Sequence, residues 1–127
     1  MMFMKRTAVA VILLLAPAQA LAGDMVYESA KELALVLGEV NAATETCSPN
    51  SDRSGTRKVR VLETVGKVLS DHEAARVSLS YDLGRAHGMG GACTLARRDA
   101  LLKRMNTAFD DFGKSLERIQ ARLKQSK

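Results

Sequence analysis

The stretch TLARRDALLKRMNTAFDDFGKSLERIQARLK, residues 94–124, predicts one long amphipathic helix. Its apolar residues alternate spacings of three and four without a miss: Leu102, Met105, Phe109, Phe112, Leu116, Ile119 and Leu123. Thr94 has the side chain of an N-cap residue, and a helix from Leu95 to Lys124 would extend about 45 Å. Because so long an apolar seam needs a partner helix, the stretch predicts an all-α fold.

The same seam is the first candidate interaction site. Its second half can pack within the chain, bind an envelope protein or form a homodimer, and the final turns are the part most able to project. The candidate residues are Phe109, Phe112, Leu116, Ile119 and Leu123.

Two further helical segments are predicted upstream. Residues 25–46 place five apolar side chains on one helical face, and Ser48-Pro49 ends that helix. Residues 57–85 carry a second stripe, with a break near Ser70, which resembles an N-cap. The first stripe is Val26, Ala30, Leu33, Leu37 and Val40; the second is Leu62, Val65, Leu69, His72, Leu79 and Leu83.

A glycine-rich loop follows the second segment. Four glycines in eight residues, Gly84, Gly88, Gly90 and Gly91, predict that the helix ends there. The loop reads either as a hinge or as an anion site at the start of the last helix.

The N-terminus has the pattern of a signal peptide. Lys5 and Arg6 precede the apolar run TAVAVILLLA, and small residues at Ala20 and Ala22 precede the expected cleavage bond. Residues 1–22 are thus predicted to be removed after export to the periplasm. Residues 23–127 then form a single helical domain.

Export makes the two cysteines informative. In an oxidising compartment Cys47 and Cys93, the only cysteines, are predicted to form a disulfide, within one chain or between two. Within one chain, this bond favours a break near Ser70, because the start of the last helix must return to the end of the first. The predicted fold is therefore a small antiparallel bundle of three or four helices with one disulfide.

Charge is unevenly distributed along the chain. Removing Lys5 and Arg6 leaves 17 basic and 14 acidic residues, a net charge of +3, which together with few aromatics argues against a nucleic-acid partner. Residues 23–47 are acidic and residues 94–127 are basic, so the two segments can attract each other within one bundle or between subunits. A basic patch on Arg53, Arg57, Lys58 and Arg60 can contact an anionic envelope surface or lie in a solvated loop and helix start.

No residue pattern indicates catalysis. Asp71, His72 and Glu73 point about 100° apart on a helix, and His72 is predicted to be a packed core residue. His87 and Met89, with Cys93, are the weak alternative for a metal site, and no cofactor is predicted.

The stretches LALVLGEVNAATETC (33–47), GRAHGMGGACTLA (84–96) and GKSLERI (113–119) resemble a family of small exported two-cysteine helical proteins of alphaproteobacteria. The resemblance implies a periplasmic, disulfide-bonded helical fold and no assigned activity. The sequence therefore favours a non-catalytic periplasmic protein that acts through protein–protein interaction, in envelope assembly, as a chaperone or as an inhibitor. The alternative is a small ligand- or metal-binding protein that uses loop 84–93.

Overall fold

Four helices make up the described part of the chain. The computed structural model describes the backbone of residues 2–48 and 53–125 and the side chains of residues 25–48 and 56–124. The helices are α1 (Met2–Cys47), α2 (Arg53–Val68), α3 (Asp71–Gly88) and α4 (Leu95–Gln125). These residues contain no strand, so the all-α prediction is confirmed. Within this part of the chain, we find no helix with the length and apolar character needed to cross a membrane.

The first helix is the centre of the fold, since each of the other three helices packs against it. Its predicted stripe is confirmed in full, because all five residues are at most 6% exposed. Ala34, Val36 and Ala42 are buried as well, so α1 is apolar around most of its circumference. The helix begins at Met2 rather than near Met25, and the side chains of the predicted signal peptide lie outside the described residues.

The predicted break near Ser70 is confirmed. The Ser70 hydroxyl accepts a hydrogen bond from the Glu73 amide at 3.2 Å, and the Glu73 carboxylate accepts one from the Ser70 amide at 3.2 Å. This capping box satisfies amide groups that have no partner within the helix. The capping box begins a new helix, α3, after the end of α2. The described residues therefore form four helices that run alternately up and down.

The alternating path brings both cysteines to one end of the bundle. Cys47 ends α1, Cys93 lies just before α4, and the two form a disulfide within the chain with their Cα atoms 5.6 Å apart. We call this end the disulfide pole, defined by residues 44–48, 56–58 and 85–99. The disulfide closes a loop of 46 residues and therefore restricts the unfolded chain.

Helix α4 packs antiparallel along α1 through its apolar seam and through ion pairs. Arg104 of α4 lies 2.8 Å from Glu39 and 3.8 Å from Glu32. Further along, the hydroxyl groups of Ser29 and Ser115 are 3.2 Å apart. The predicted attraction between the acidic first segment and the basic last segment thus operates within one bundle.

Glycines let α1 and α3 cross with their backbones in contact. A Cβ atom on Gly84 would lie 1.9 Å from the Leu35 carbonyl oxygen, and one on Gly88 would lie 2.6 Å from the Glu39 carbonyl oxygen. Gly38 faces α3 in the same way, since a Cβ atom on it would lie 2.2 Å from the Tyr81 carbonyl oxygen. The prediction that Gly84 ends the helix is therefore wrong, because it lies inside α3 and serves the crossing, whereas Gly88 is the last residue of α3, as the glycine-rich stretch predicts.

The predicted apolar stripe fails in α3. The buried residues of this helix are Val77, Tyr81, Gly84 and Gly88. Leu79 and Leu83 are instead 60% and 58% exposed, and His72 is exposed too. The capping box at Ser70 interrupts the helix, so the phase of the stripe in α2 does not continue into α3.

Candidate functional site

A polar cluster fixes α3 in its place beside α1. The phenol of Tyr81, which is 2% exposed, accepts a hydrogen bond from the Asn41 side-chain amide. The ring of Tyr81 lies 4.2 Å from the Lys58 ammonium group of α2, a cation–π contact. One buried ring thus connects three helices.

An ion pair extends this cluster toward the disulfide pole. The two guanidinium nitrogens of Arg85 donate to the two carboxylate oxygens of Glu45, at 2.9 and 2.7 Å. These hydrogen bonds lower the pKa of Glu45, and they raise the pKa of Arg85 with help from Tyr81. Asn41 and Glu45 of α1 and Lys58 of α2 thus contact Tyr81 and Arg85 of α3, so the cluster fixes the orientation of α3 in the bundle.

The outer face of α3 carries an apolar stripe that is open to solvent. Four side chains on it are exposed at helical spacing: Ala75, Leu79, Leu83 and Ala86. We call these four residues the α3 stripe. The leucines are one turn apart and are 60% and 58% exposed. Asp82 lies along one edge of the stripe and Arg76 along the other, and both are exposed.

The loop between α3 and α4 is held in place at several points. Gly90 has a φ of 80°, which a residue with a side chain rarely adopts. The Arg97 guanidinium donates to the carbonyl oxygens of Gly88 and Ala92 at 2.9 and 3.2 Å. Thr94 is the predicted N-cap and accepts from the Arg97 amide at 3.2 Å. Together with the disulfide, these bonds fix the loop, so it is a clamped turn rather than a free hinge.

The candidate metal ligands His87, Met89 and Cys93 do not form a metal site in the structure. The sulfur of Cys93 is bonded to Cys47 and has no thiolate to offer a metal. His87 and Met89 are both exposed. In the described residues no group of three His, Cys, Asp or Glu side chains lies close enough together to hold a metal ion.

The basic patch does not form one solvated cluster. Lys58 lies over the Tyr81 ring, and Arg57 directs a guanidinium nitrogen at the Met105 sulfur, 3.6 Å away. Arg60 is exposed, and the side chain of Arg53 lies outside the described residues. Two of these cations therefore help to seat α2 while they keep their charge near the disulfide pole.

Most of the α4 seam lies within the bundle. Phe112 is 6% exposed and belongs to the core, so it is not accessible to a partner in this fold. Phe109, Leu116 and Ile119 are partly buried and pack against the core. Leu123, in the last turns, is 61% exposed. The partner contact predicted for the seam stays a prediction.

The histidine that looked most like a catalytic residue has an exposed place. His72 is not a core residue, because it lies in the exposed first turn of α3. Its neighbour Glu73 is engaged in the capping box with Ser70. The prediction that His72 packs in the core is therefore wrong.

Comparison with protein-family models, with curated proteins and with solved structures finds no match to this chain. The candidate site therefore rests on geometry alone. The sequence reading missed the α3 stripe because it continued one stripe across Ser70. Counting afresh from Asp71 does not decide the matter, because Val77, Tyr81 and Gly84 fit one helical face and Leu79 and Leu83 fit another.

Proposed function

We propose that this protein is a non-catalytic periplasmic protein that acts by binding another protein through the α3 stripe. The observation that carries the proposal is the exposure of Leu79 and Leu83, 60% and 58%, on one face of a well-packed helix. A contiguous apolar face rimmed by charges is typical of a protein-binding surface, whereas a single exposed leucine is ordinary.

The way α3 is held supports the proposal. Gly84 and Gly88 press the inner face of the helix against α1, and Tyr81 and Arg85 tie it to α1 through polar contacts. A partner therefore meets a face that is already ordered, and binding costs little conformational entropy. The contact follows the helix-in-groove pattern, with anchors one turn apart.

The location is proposed from two independent features. The N-terminal residues have the composition of a signal peptide, and the chain carries a disulfide that an oxidising compartment would maintain. The partner is accordingly another envelope protein or a second copy of this chain. A role in assembly, as a chaperone or as an inhibitor fits this partner class.

Paired substitutions test the proposal. The variant Leu79→Ser with Leu83→Ser removes the apolar anchors but leaves the inner face of α3 intact. Val59→Ser is the matched control, since Val59 is 53% exposed on α2. We expect the wild-type protein and the control to co-purify with the same partner, or to dimerise with the same midpoint concentration, and the double variant to do neither. Equal behaviour of all three proteins would refute the α3 stripe as the binding face.

A further inference from the structure

The disulfide pole presents a second surface of a different kind. Met89 is 63% exposed and Leu95 is 74% exposed, the largest exposures among the large apolar side chains in the described residues. They flank the clamped turn, in which Gly90, Ala92 and Cys93 are also exposed. This end of the bundle thus displays apolar side chains on a turn fixed by Arg97 and the disulfide.

The same end is rich in cations. Residues 44–48, 56–58 and 85–99 contain five arginine or lysine residues and two carboxylates, Glu45 and Asp99. The ion pair of Arg85 with Glu45 neutralises one of the five cations and one of the two carboxylates. The remaining cations are Arg57, Lys58, Arg97 and Arg98, opposed by Asp99 alone. Arg98 is exposed, whereas Arg57, Lys58 and Arg97 are partly buried. Exposed apolar side chains at an end with surplus positive charge complement a surface that is negative outside and apolar beneath.

We propose that the disulfide pole docks on the surface of a lipid bilayer that carries anionic headgroups, with Met89 and Leu95 entering the headgroup region. Charge complementarity selects this occupant, because each cation near such a surface strengthens binding about five-fold. The small apolar area favours lipid over protein, since a stable protein interface buries roughly 800 Å² per partner. An interfacial anchor needs only shallow insertion of a few apolar side chains.

The hydrogen bonds of Arg97 fix the shape of the disulfide pole for membrane docking. Arg97 holds the carbonyl groups of Gly88 and Ala92, so the turn keeps Met89 and Leu95 displayed at the end of the bundle. Of the α3 stripe only Ala86 belongs to this pole, and Leu79 and Leu83, which carry the proposed protein contact, lie outside it. The two proposals therefore fail or survive separately.

Vesicle binding tests the inference. The assay uses the disulfide-bonded protein purified from the cell after export, which is predicted to remove residues 1–22. The probes are vesicles of phosphatidylcholine alone and vesicles with equal parts of phosphatidylcholine and phosphatidylglycerol. We expect sedimentation with the anionic vesicles only, weakening as salt is added. Arg98→Glu changes the charge by two units and should lower the partition coefficient about 25-fold. Met89→Ser with Leu95→Ser should lower it about ten-fold.

The variant Leu79→Ser with Leu83→Ser is the control and should bind vesicles like the wild type. All these side chains are exposed, and circular dichroism melts verify that each variant is folded. The inference is overturned if the wild type does not bind anionic vesicles, or if the pole variants bind as tightly as the control. Retention on immobilised polyglutamate without vesicle binding would also overturn it, because that result assigns the pole to an acidic protein.

Discussion

The glycine crossing between α1 and α3 makes a quantitative prediction about Gly84→Ala. The new Cβ would lie 1.9 Å from the Leu35 carbonyl oxygen, whereas ordinary contact begins at 3.4 Å. The two helices must therefore separate by about 1.5 Å, and backbone atoms cannot rotate away as a side chain does. Separation strains the contacts of Tyr81 with Asn41 and of Arg85 with Glu45.

The expected cost follows from these contacts. Overpacking against backbone should destabilise the fold by about 3 kcal/mol, while replacing a helical glycine by alanine returns about 1 kcal/mol. The net loss for Gly84→Ala is thus about 2 kcal/mol. Gly66→Ala is the matched control, since a Cβ there meets nothing within 4 Å, and the helix propensity alone should stabilise it by about 1 kcal/mol.

Urea unfolding followed by circular dichroism at the helical band measures both variants. We expect the urea midpoints of the two variants to move in opposite directions from the wild type. Their free energies of unfolding should differ by about 3 kcal/mol. If Gly84→Ala proves as stable as Gly66→Ala, the close crossing does not exist in solution and the orientation of α3 must be reconsidered.

Four further predictions concern stability. Replacing Cys47 and Cys93 by serine should lower the free energy of unfolding by about 4 kcal/mol, measured in urea. Ser70→Ala removes the capping box and should cost about 1 kcal/mol in the same assay. Phe112→Ala should cost roughly 3–5 kcal/mol, because the ring is core. The Arg85 guanidinium lowers the pKa of Glu45 in the folded protein. The ion pair therefore stabilises the fold above the pKa that Glu45 has in the unfolded chain, and this stabilisation is lost as pH falls through the pKa of Glu45 in the folded protein. Acid titration below pH 4.5 should therefore destabilise the wild type more than Glu45→Gln.

Local signals in the sequence predict three or four helices and the cysteine pair, and the structure adds that the described residues form four helices with the disulfide within the chain. The Ser70–Glu73 pair is a capping box at the spacing the motif requires, and the proline after Ser48 ends the preceding helix. A pairing of Cys47 with Cys93 within one chain then favours a turn near Ser70. The α1 stripe is equally readable, because no break interrupts its period.

The α3 face could not be predicted by the same means, because the continued stripe assigned Leu79 and Leu83 to the core. The glycines are ambiguous in the sequence as well. It ends a helix when its backbone turns, as at Gly90, but it permits two helices to touch when it stays helical, as at Gly84. Composition alone does not separate these cases, since the difference lies in the neighbouring helix.

Photo-cross-linking in living cells tests whether the α3 stripe faces a partner. A photoreactive residue is placed at Leu79 or Leu83, and at Val59 or Thr107 as exposed controls on α2 and α4. We expect one adduct of the same size from both α3 positions and none from the controls. Adducts from all four positions, or from the controls alone, would contradict it.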